Sequence, residues 1–331
     1  MIKKIRVEDA IGLPLLHDFT AIMTDGFKGV KFKRGHIVRE EDIDELKNIG
    51  KDHIYVGELE KGQVHEVDAI DEISSLLVGE NINISDISEG KITLTSKVRG
   101  VFVINRKLLR AINEIGDYTI SSKRSYISVN PNDKLASGRI VPLWTERWQV
   151  EKAKEILKEG PVFEVKEFKK LKVGCIITGD EVYYGRIKDA FKPVLEEKLS
   201  NFPSELLAYT FLPDDEEKLV ETYKTYKKMG ADLVIFTGGM SVDPDDITPS
   251  AIRRAGSEFI IQGIPMQPGN MLTLARDGKT YLMGVPGASM HCKITSFDYF
   301  LPRVFAGLDL KKEDFLEMAE GGLLWFLRQQ S

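Results

Sequence analysis

From residue 172 onward, two patterns of apolar and polar positions follow each other in turn. Short runs of consecutive apolar residues are typical of strands buried on both faces, and longer mixed segments between them are typical of helices. Strands that alternate with helices predict a parallel sheet with right-handed crossovers. The predicted strands span residues 173–177, 205–212 and 233–236, and the predicted helices between them span 191–199 and 216–229.

The pattern continues with a short helix, a strand pair and a long helix. The helix is predicted at residues 249–255, and the strands at 271–275 and 279–284 are divided by Arg276-Asp277-Gly278. An Asp-Gly step between two apolar runs is a strong hairpin signal. After the loop that follows residue 284, a helix is predicted from 289 to 305.

The first half of the chain has a different pattern. Short strand-like pieces lie near residues 54–57, 91–95, 101–104 and 126–129, and helical patterns lie at 40–46 and 107–115. This mixture predicts a smaller α+β domain. The predicted fold is therefore an α+β domain at 1–165, a three-layer, mostly parallel α/β domain at 170–308, and a helical tail at 309–331.

Composition limits the function classes. With 331 residues, two domains are expected, and 42% hydrophobic and 29% charged residues are typical of an ordinary soluble protein. A net charge of −5 gives no general attraction to nucleic acid or acidic membranes. No apolar run approaches the roughly 20 residues that a membrane span needs, and no apolar segment follows the basic residues at the amino terminus, so we expect no secretory signal. Cys175 and Cys292 have no metal-type spacing, and reduced thiols in a cytoplasmic protein are expected.

One segment predicts a phosphate site. The apolar run 233–236 leads directly into Thr237-Gly238-Gly239, and three aspartates follow. A glycine pair after a buried strand lets backbone N–H groups approach a ligand at the carboxyl edge of the sheet. Carboxylates beside such a turn can hold Mg²⁺ against phosphate oxygens. The alternative is a bare tight turn and a solvated loop, in which Asp243 or Asp246 caps the next helix.

Two further loops are expected at the same edge, because the carboxyl ends of parallel strands lie together. Thr178-Gly179-Asp180-Glu181 follows the strand at 173–177, and Gly284-Val-Pro-Gly-Ala288 follows the strand at 279–284. Asp180 could act on a ligand there or could cap the next helix. We expect Asp214 and Asp215 to be a loop residue and a helix cap, not catalytic residues.

Together, these segments resemble the molybdopterin-binding fold that molybdopterin adenylyltransferases and molybdopterin molybdenumtransferases share. The resemblance covers about residues 170–307. It is closer to the molybdenumtransferase, in particular at Thr178-Gly-Asp-Glu, Pro268-Gly-Asn270 and Gly284-Val-Pro-Gly287. The matching motifs, in chain order, are Thr178-Gly-Asp-Glu, Gly185-Arg-Ile-Lys-Asp189, Pro213-Asp-Asp, Thr237-Gly-Gly-Met-Ser, Asp246-Ile-Thr-Pro249, Pro268-Gly-Asn270 and Gly284-Val-Pro-Gly-Ala288.

The resemblance implies a function in molybdenum cofactor biosynthesis. The ligand would be molybdopterin or its adenylate, and the reaction would be Mg²⁺-assisted insertion of molybdate, with Asp246 and Asp180 as catalytic residues. A homodimer and a molybdoenzyme or cofactor-assembly protein as partner are also expected. The implied metal ligands are Asp243, Asp245 and Asp246, and the implied pterin-binding residues are Thr178, Gly179, Thr237, Gly238, Gly239, Ser241, Gly269, Asn270, Pro286, Gly287 and Ser289.

Two departures keep other functions open. The family pattern has an asparagine soon after the aspartate of its second motif, whereas Phe191 stands here. The first half of the chain also lacks the pattern of the acidic segment that precedes this fold in a typical molybdenumtransferase. One alternative is a non-catalytic carrier or sensor of molybdopterin that serves a molybdoenzyme system. The other is an adenylyltransferase or a nucleotide pyrophosphatase on the same fold.

Overall fold

The computed structural model describes residues 2–22, 28–88, 90–240 and 246–324. These residues divide into two compact units. The amino-terminal unit comprises the described residues of 1–98, 102–125 and 129–165, and the carboxyl-terminal unit comprises those of 99–101, 126–128 and 166 onward. Within the described ranges, no helix has both the length and the apolar character needed to cross a membrane.

Small sheets and short helices make up the first half of the chain, as the predicted α+β pattern required. The sheets are β1–β4, β2–β3, β5–β12, β10–β8–β13 and β6–β7–β11–β9. The strands are β1 (Lys3–Arg6), β2 (Phe19–Ile22), β3 (Lys28–Phe32), β4 (His53–Val56), β5 (Gln63–His65), β6 (Ile82–Ile84), β7 (Lys91–Ser96), β8 (Gly100–Ile104), β9 (Tyr118–Ser122), β10 (Ser128–Val129), β11 (Lys134–Ile140), β12 (Trp144–Glu146) and β13 (Phe163–Glu167), and the helices are α1 (Asp42–Asn48), α2 (Glu66–Ser74), α3 (Arg106–Asn113) and α4 (Arg147–Leu157).

The packing of this half follows from its apolar positions. In β7 every second residue is buried, as expected for a strand with one face on a core. Helix α2 buries Ala69, Ile70 and Ile73, and Ile70 comes close to β11 at Gly138, where the missing side chain leaves space. A separate core, formed around the 3-10 helix Val7–Ala10, includes Phe19, Leu46 and Ile54.

A six-stranded, mostly parallel sheet forms the centre of the second half, as predicted. Its strand order is β15–β14–β16–β19–β18–β17, in which the first four strands pair in parallel and β18 pairs antiparallel with both of its neighbours, β19 and β17. The strands are β14 (Leu171–Thr178), β15 (Ser204–Leu212), β16 (Leu233–Thr237), β17 (Glu258–Gln262), β18 (Thr273–Asp277) and β19 (Thr280–Gly284), and the helices are α5 (Asp180–Tyr183), α6 (Phe191–Leu199), α7 (Glu216–Lys228), α8 (Thr248–Arg254), α9 (Ser296–Phe305) and α10 (Lys312–Leu316).

Helix α7 packs closely against this sheet. Leu219 and Tyr223 of α7 join Ile176, Val234 and other strand residues in one buried cluster. Tyr226 of α7 reaches the backbone of β14 because residue 174 is glycine. A Cβ at Gly174 would lie 2.3 Å from Cδ2 of the Tyr226 ring.

The two cysteines are free thiols. Cys175 is buried in β14, and burial raises the pKa of its thiol to about 12. Cys292 is half-buried. The expectation of unpaired cysteines therefore agrees with the structure.

One strand of this half was not predicted, and one predicted helix was wrong. Strand β17 was not predicted, although it follows Gly256 and contains consecutive β-forming residues. The long helix predicted at 289–305 is interrupted: a 3-10 helix spans Gly287–Met290, and α9 begins at Ser296. Thr295 and Asp298 explain the new start, because they form a capping box in which Oδ2 of Asp298 accepts the Thr295 N–H at 2.8 Å.

Candidate functional site

A cavity of about 710 Å³ lies at the carboxyl ends of β14, β15, β16 and β19. Ligands of open α/β sheets bind at this edge, where the loops after neighbouring strands meet. The expectation that the loops after residues 178, 237 and 284 share one edge is met. The described residues that line the cavity are Ile177, Thr178, Gly179, Glu181, Val182, Ile187, Lys188, Asp189, Ala190, Phe191, Asp214, Gly238, Gly239, Met240, Asp246, Met271, Gly287 and Met290.

The glycine pair after β16 forms a tight turn in the wall of the cavity. Gly238 and Gly239 have φ angles of +88° and +53°, which glycine adopts without strain. A Cβ at Gly238 would lie 2.0 Å from the carbonyl oxygen of Thr178, so the turn touches the end of β14. Thr248 of α8 holds the turn, because its hydroxyl donates to the Gly238 carbonyl at 2.8 Å and its N–H donates to the Gly239 carbonyl at 3.2 Å.

Thr178, Asp180 and Asp214 tie the end of β14 to the end of β15. The carboxylate of Asp214 accepts the Asp180 N–H at 3.0 Å, and the carboxylate of Asp180 accepts the Asp214 N–H at 3.1 Å. The Thr178 hydroxyl donates to Oδ1 of Asp214 at 2.8 Å. We call these three residues the Asp clasp. Asp215, by contrast, caps α7 by accepting the N–H groups of Glu217 and Lys218.

Helix α6 contributes an apolar side chain and its capping residue to the lining. The two carboxylate oxygens of Asp189 accept the N–H groups of Phe191 and Lys192 at 3.0 and 2.8 Å, so Asp189 holds the first turn of α6. The side chain of Phe191 is 9% exposed. At the position where the related pattern has asparagine, this chain therefore places an aromatic ring in the cavity wall.

The charge of the lining is mainly negative. Among the described residues, Glu181, Asp189, Asp214 and Asp246 line the cavity, and Lys188 is the one basic residue that does so. Such a lining does not attract an anion without added positive charge. Carboxylates are the ligands that Mg²⁺ prefers, and Mg²⁺ often binds one or two of them together with substrate phosphates. The residues present therefore fit a cation that arrives with a phosphate, although no three His, Cys, Asp or Glu side chains of the described ranges surround one metal position.

The predicted site residues fall into three groups. Thr178, Gly179, Gly238, Gly239, Asp246 and Gly287 line the cavity, and Asp180 is bonded to the lining residue Asp214. Ser241, Asp243 and Asp245 lie outside the described residues. The remaining predicted residues lie outside the lining, namely Thr237, Gly269, Asn270, Pro286 and Ser289.

The residues outside the lining have mainly structural contacts. Ser289 is buried, and its hydroxyl lies 3.0 Å from that of Thr295, the N-cap of α9. The carbonyl of Gly269 accepts the Ser296 hydroxyl at 2.6 Å. Asn270 is exposed and lines a different cavity. The hydroxyl of Thr237 is buried and has no hydrogen-bond partner within the described ranges.

Sequence reasoning missed several residues of the lining. Lys188 and Asp189 belong to a motif that we recognised without assigning its side chains to the site. Asp214 was predicted to be a loop residue without a function, yet it lines the cavity; its position two residues after β15 is the same signal that identified Asp180 and the aspartates after β16. Met271 and Met290 had no such signal, because apolar residues in loops do not reveal which cavity they face.

An open, mostly parallel sheet with a ligand-sized cavity at its carboxyl edge is the architecture of α/β domains that bind small ligands at the ends of their strands. Residues 174–306 match the family described as "Probable molybdopterin binding domain". The resemblance expected from the loop motifs is thereby confirmed for this part of the chain. Residues 4–58 match a domain family of unknown function, DUF8806.

Individual relatives cover the same region. The molybdopterin molybdenumtransferase of Synechococcus elongatus is 28% identical over 153 residues, which are 43% of this chain and 38% of that protein. The enzyme of the same name from Staphylococcus aureus strain Mu50 is 30% identical over 146 residues, 42% of this chain and 34% of that protein. The chain thus matches little more than a third of the length of these relatives. Among solved structures, the molybdopterin biosynthesis enzyme MoaB from Thermus thermophilus is 22% identical, with a TM-score of 0.35, over 40% of this chain and 90% of that one.

Proposed function

We propose that this protein acts in molybdenum cofactor biosynthesis, and that the cavity at the carboxyl edge of the sheet binds molybdopterin or adenylyl-molybdopterin. The observation that carries the proposal is the junction of the glycine turn at 238–239 with the Asp clasp, in a domain that matches the molybdopterin-binding family. The volume of about 710 Å³ lies within the range of small-molecule sites, which is roughly 300–1,000 Å³.

The two ends of a pterin phosphate have counterparts in the lining. Phe191, Met271 and Met290 offer apolar surface for a flat ring system. Gly238 and Gly239 allow the chain to approach a phosphate closely, since neither carries a Cβ. Lys188 can pair with the phosphate charge. The ligand would thus lie with its ring near the methionines and its phosphate at the glycine turn.

We further propose that the reaction is the Mg²⁺-assisted insertion of molybdate. Asp246 is half-buried, lines the cavity and is the described member of the predicted metal set, which also contains Asp243 and Asp245. When bound, Mg²⁺ would neutralise phosphate charge and polarise phosphate oxygens. Asp180 acts as a positioning residue under this proposal, because its carboxylate accepts the Asp214 N–H and so shapes the loop.

A non-catalytic carrier or sensor of molybdopterin is the second candidate. Two observations favour it: the carboxylates of Asp180 and Asp214 hold each other's backbone, and Phe191 replaces a polar residue of the related pattern. An adenylyltransferase and a nucleotide pyrophosphatase are further alternatives. A homodimer, a cytoplasmic location and a molybdoenzyme or cofactor-assembly protein as partner stay predictions.

Rescue of a bacterial strain that lacks molybdopterin molybdenumtransferase tests the catalytic proposal. The wild-type chain, Asp246→Asn and the control Glu217→Gln would be expressed there, because Glu217 is exposed on α7 and does not line the cavity. We expect rescue by the wild type and the control, and loss of rescue with Asp246→Asn.

Binding assays on the same purified proteins separate the alternatives. Molybdopterin binding by the wild type without rescue overturns the catalytic proposal and supports the carrier. Transfer of AMP from ATP to molybdopterin supports the adenylyltransferase, and hydrolysis of ADP-ribose supports the pyrophosphatase. Absence of molybdopterin and adenylate binding overturns the proposed function as a whole.

A further inference from the structure

The amino-terminal unit contains a second cavity of about 210 Å³, and charged side chains and two imidazoles line it. The lining comes from the segment before and within β2, the residues after β3 and α1, the start of α2, and β11. At about 30 Å³ per water molecule, a cavity of this volume holds a ligand of only a few heavy atoms. The lining residues are His17, Asp18, Phe19, Thr20, Arg34, Lys51, His65, Glu66, Val67, Gly90 and Arg139.

Most of the charges in the lining are compensated by partners within the protein. Arg34 pairs with Asp68 at 3.2 Å, and its backbone N–H donates to Asp18 at 2.8 Å. Nη2 of Arg139 lies 3.5 Å from Oε2 of Glu66. These contacts fix the walls of the cavity, and the two arginines and two carboxylates of the lining leave little net charge.

His65 forms part of the wall in a fixed tautomer. The residue is fully buried, and its Nδ1 accepts the Val67 N–H at 3.2 Å. Its Nε2 lies 2.9 Å from the carbonyl oxygen of Leu16, which can only accept, so Nε2 carries the proton. His65 is the N-cap of α2, a helix of nine residues. His65 and the first two residues of the helix line the cavity, so the positive end of the helix dipole lies at the cavity wall.

Lys51 and His17 are the groups that lack compensation. Within the described ranges, Lys51 has no carboxylate within 4.0 Å, and its Nζ lies 5.5 Å from the centroid of the Phe19 ring. Nδ1 of His17 is buried and has no hydrogen-bond partner among the described residues. Burial, followed by the charge of Lys51, lowers the pKa of His17. An ammonium and an imidazole ring thus stand at one small cavity, and among the described residues the ammonium has the Phe19 ring but no carboxylate as its partner.

We propose that this cavity binds a small oxygen-bearing anion, either an inorganic oxyanion or a short carboxylate, through Lys51 and His17. An anion would offset the charge of Lys51 and lie against the ring of His17, which lines the same cavity. The first turn of α2 adds a favourable dipole, and its two carboxylates, Glu66 and Asp68, are already paired with Arg139 and Arg34. A cation fits less well, because Lys51 repels it and because no three metal-ligating side chains of the described ranges come together. The site shares no residue with the cavity proposed for molybdopterin, so the two proposals stand separately.

Titration of the full chain with inorganic phosphate and, separately, with acetate tests this inference. Binding would be followed by isothermal calorimetry and by NMR of the histidine rings in a buffer low in chloride. We expect saturable binding of at least one anion, with shifts of the His17 ring signals and none of the exposed His53. Preference for phosphate identifies an inorganic oxyanion site, and preference for acetate identifies a carboxylate site.

Two variants make the test specific. Lys51→Gln should weaken binding about tenfold or more, because a charged hydrogen-bonding partner is lost. The control Lys61→Gln changes an exposed lysine of the same unit outside the cavity and should bind as the wild type does. If Lys51→Gln is unfolded by circular dichroism, His17→Gln replaces it. Absence of saturable binding up to roughly 0.1 M, where screening is already strong, overturns the proposal. Equal affinity of the wild type and of the Lys51 or His17 variant for the anion also overturns the proposal.

Discussion

Asp180 and Asp214 each accept the backbone N–H group of the other, at 3.1 and 3.0 Å between the nitrogen and the carboxylate oxygen. The pair therefore joins the loops after β14 and β15, and the Thr178 hydroxyl adds a third bond to Asp214. Carboxylates at the carboxyl edge of a parallel sheet suggest chemistry from the sequence. In this protein, the carboxylates of Asp180 and Asp214 instead bind backbone N–H groups and fix the conformation of the two loops.

Removal of one carboxylate of the Asp clasp should weaken the carboxyl-terminal unit. We expect Asp214→Ala to lower the free energy of unfolding by about 1–2 kcal/mol, because the Asp180 N–H loses its carboxylate acceptor and the Thr178 hydroxyl keeps only the carbonyl of Pro213. Urea unfolding gives the measurement. Glu221→Ala changes an exposed carboxylate on α7 and is the control. A cost for Asp214→Ala no larger than that of the control would contradict the structural role.

Alanine should be tolerated very differently at the two glycines of the turn. At Gly239, with φ of +53°, alanine enters the left-handed region at a cost of about 1–2 kcal/mol. At Gly238, the new Cβ would lie 2.0 Å from the Thr178 carbonyl oxygen, so the backbone must move as well. We expect Gly238→Ala to cost at least about 3 kcal/mol. Thermal unfolding of both variants checks the order, and equal melting temperatures would show that the turn is not held against β14.

Acidification should destabilise the protein through His65. Burial, and then the charge of Arg34, lower the pKa of this imidazole in the folded state. The unfolded chain takes up the proton near its ordinary pKa of about 6.5, whereas the folded chain resists it. Below that pH the unfolded state binds more protons, so the free energy of unfolding falls as the pH decreases from about 7 through about 6.5. His17, whose pKa is also lowered, acts in the same direction.

The variant His65→Asn isolates this contribution. Asparagine is a good helix cap and does not titrate in this range, so the protein should lose less stability between about pH 7.5 and 5.5 than the wild type does. His53→Asn, at an exposed position of β4, is the matched control. Urea unfolding at several pH values provides the data. An unchanged pH dependence in His65→Asn would exclude His65 as the source.

Lys188 should contribute to binding of a pterin phosphate. In the described part of the chain it is the basic residue that lines the cavity, against four carboxylates. We expect Lys188→Gln to raise the dissociation constant for molybdopterin about tenfold, because an ionic partner of the phosphate is lost. Lys192→Gln, four residues later in the first turn of α6 and outside the lining, should leave the constant unchanged. Direct binding titrations provide the measurement. Equal affinities of the two variants for molybdopterin would show that Lys188 does not contact the ligand.

Much of the carboxyl-terminal fold could be predicted from local patterns. The predicted bounds of α6 coincide with the structure, and those of α7 and β15 differ by one residue. Apolar runs buried on both faces and polar segments between them are strong signals, and they fix the order of strands and helices. The interruption before α9 had a signal as well, in the spacing of Thr295 and Asp298, but the apolar residues around it suggested one continuous helix.

The candidate site could be predicted only in outline. Loops that follow parallel strands meet at one edge, so the positions of Thr178, Gly238 and Gly287 followed from the topology. Which side chains turn into the cavity depends on contacts between distant segments. Ser289 and Gly269 are held by the start of α9, and Asn270 lines another cavity. The sequence pattern of a single segment does not predict contacts with segments that are distant in the chain.

The loops that line the cavity at the sheet edge follow four strands and are far apart in the chain, as the positions of Thr178, Asp214, Gly238 and Gly287 illustrate. Contacts between such distant segments form slowly, because each requires the closure of a long loop. The cavity is therefore complete only when all four strands have paired. A chain that binds its ligand there has already finished folding in this unit, and the ligand stabilises only that final state.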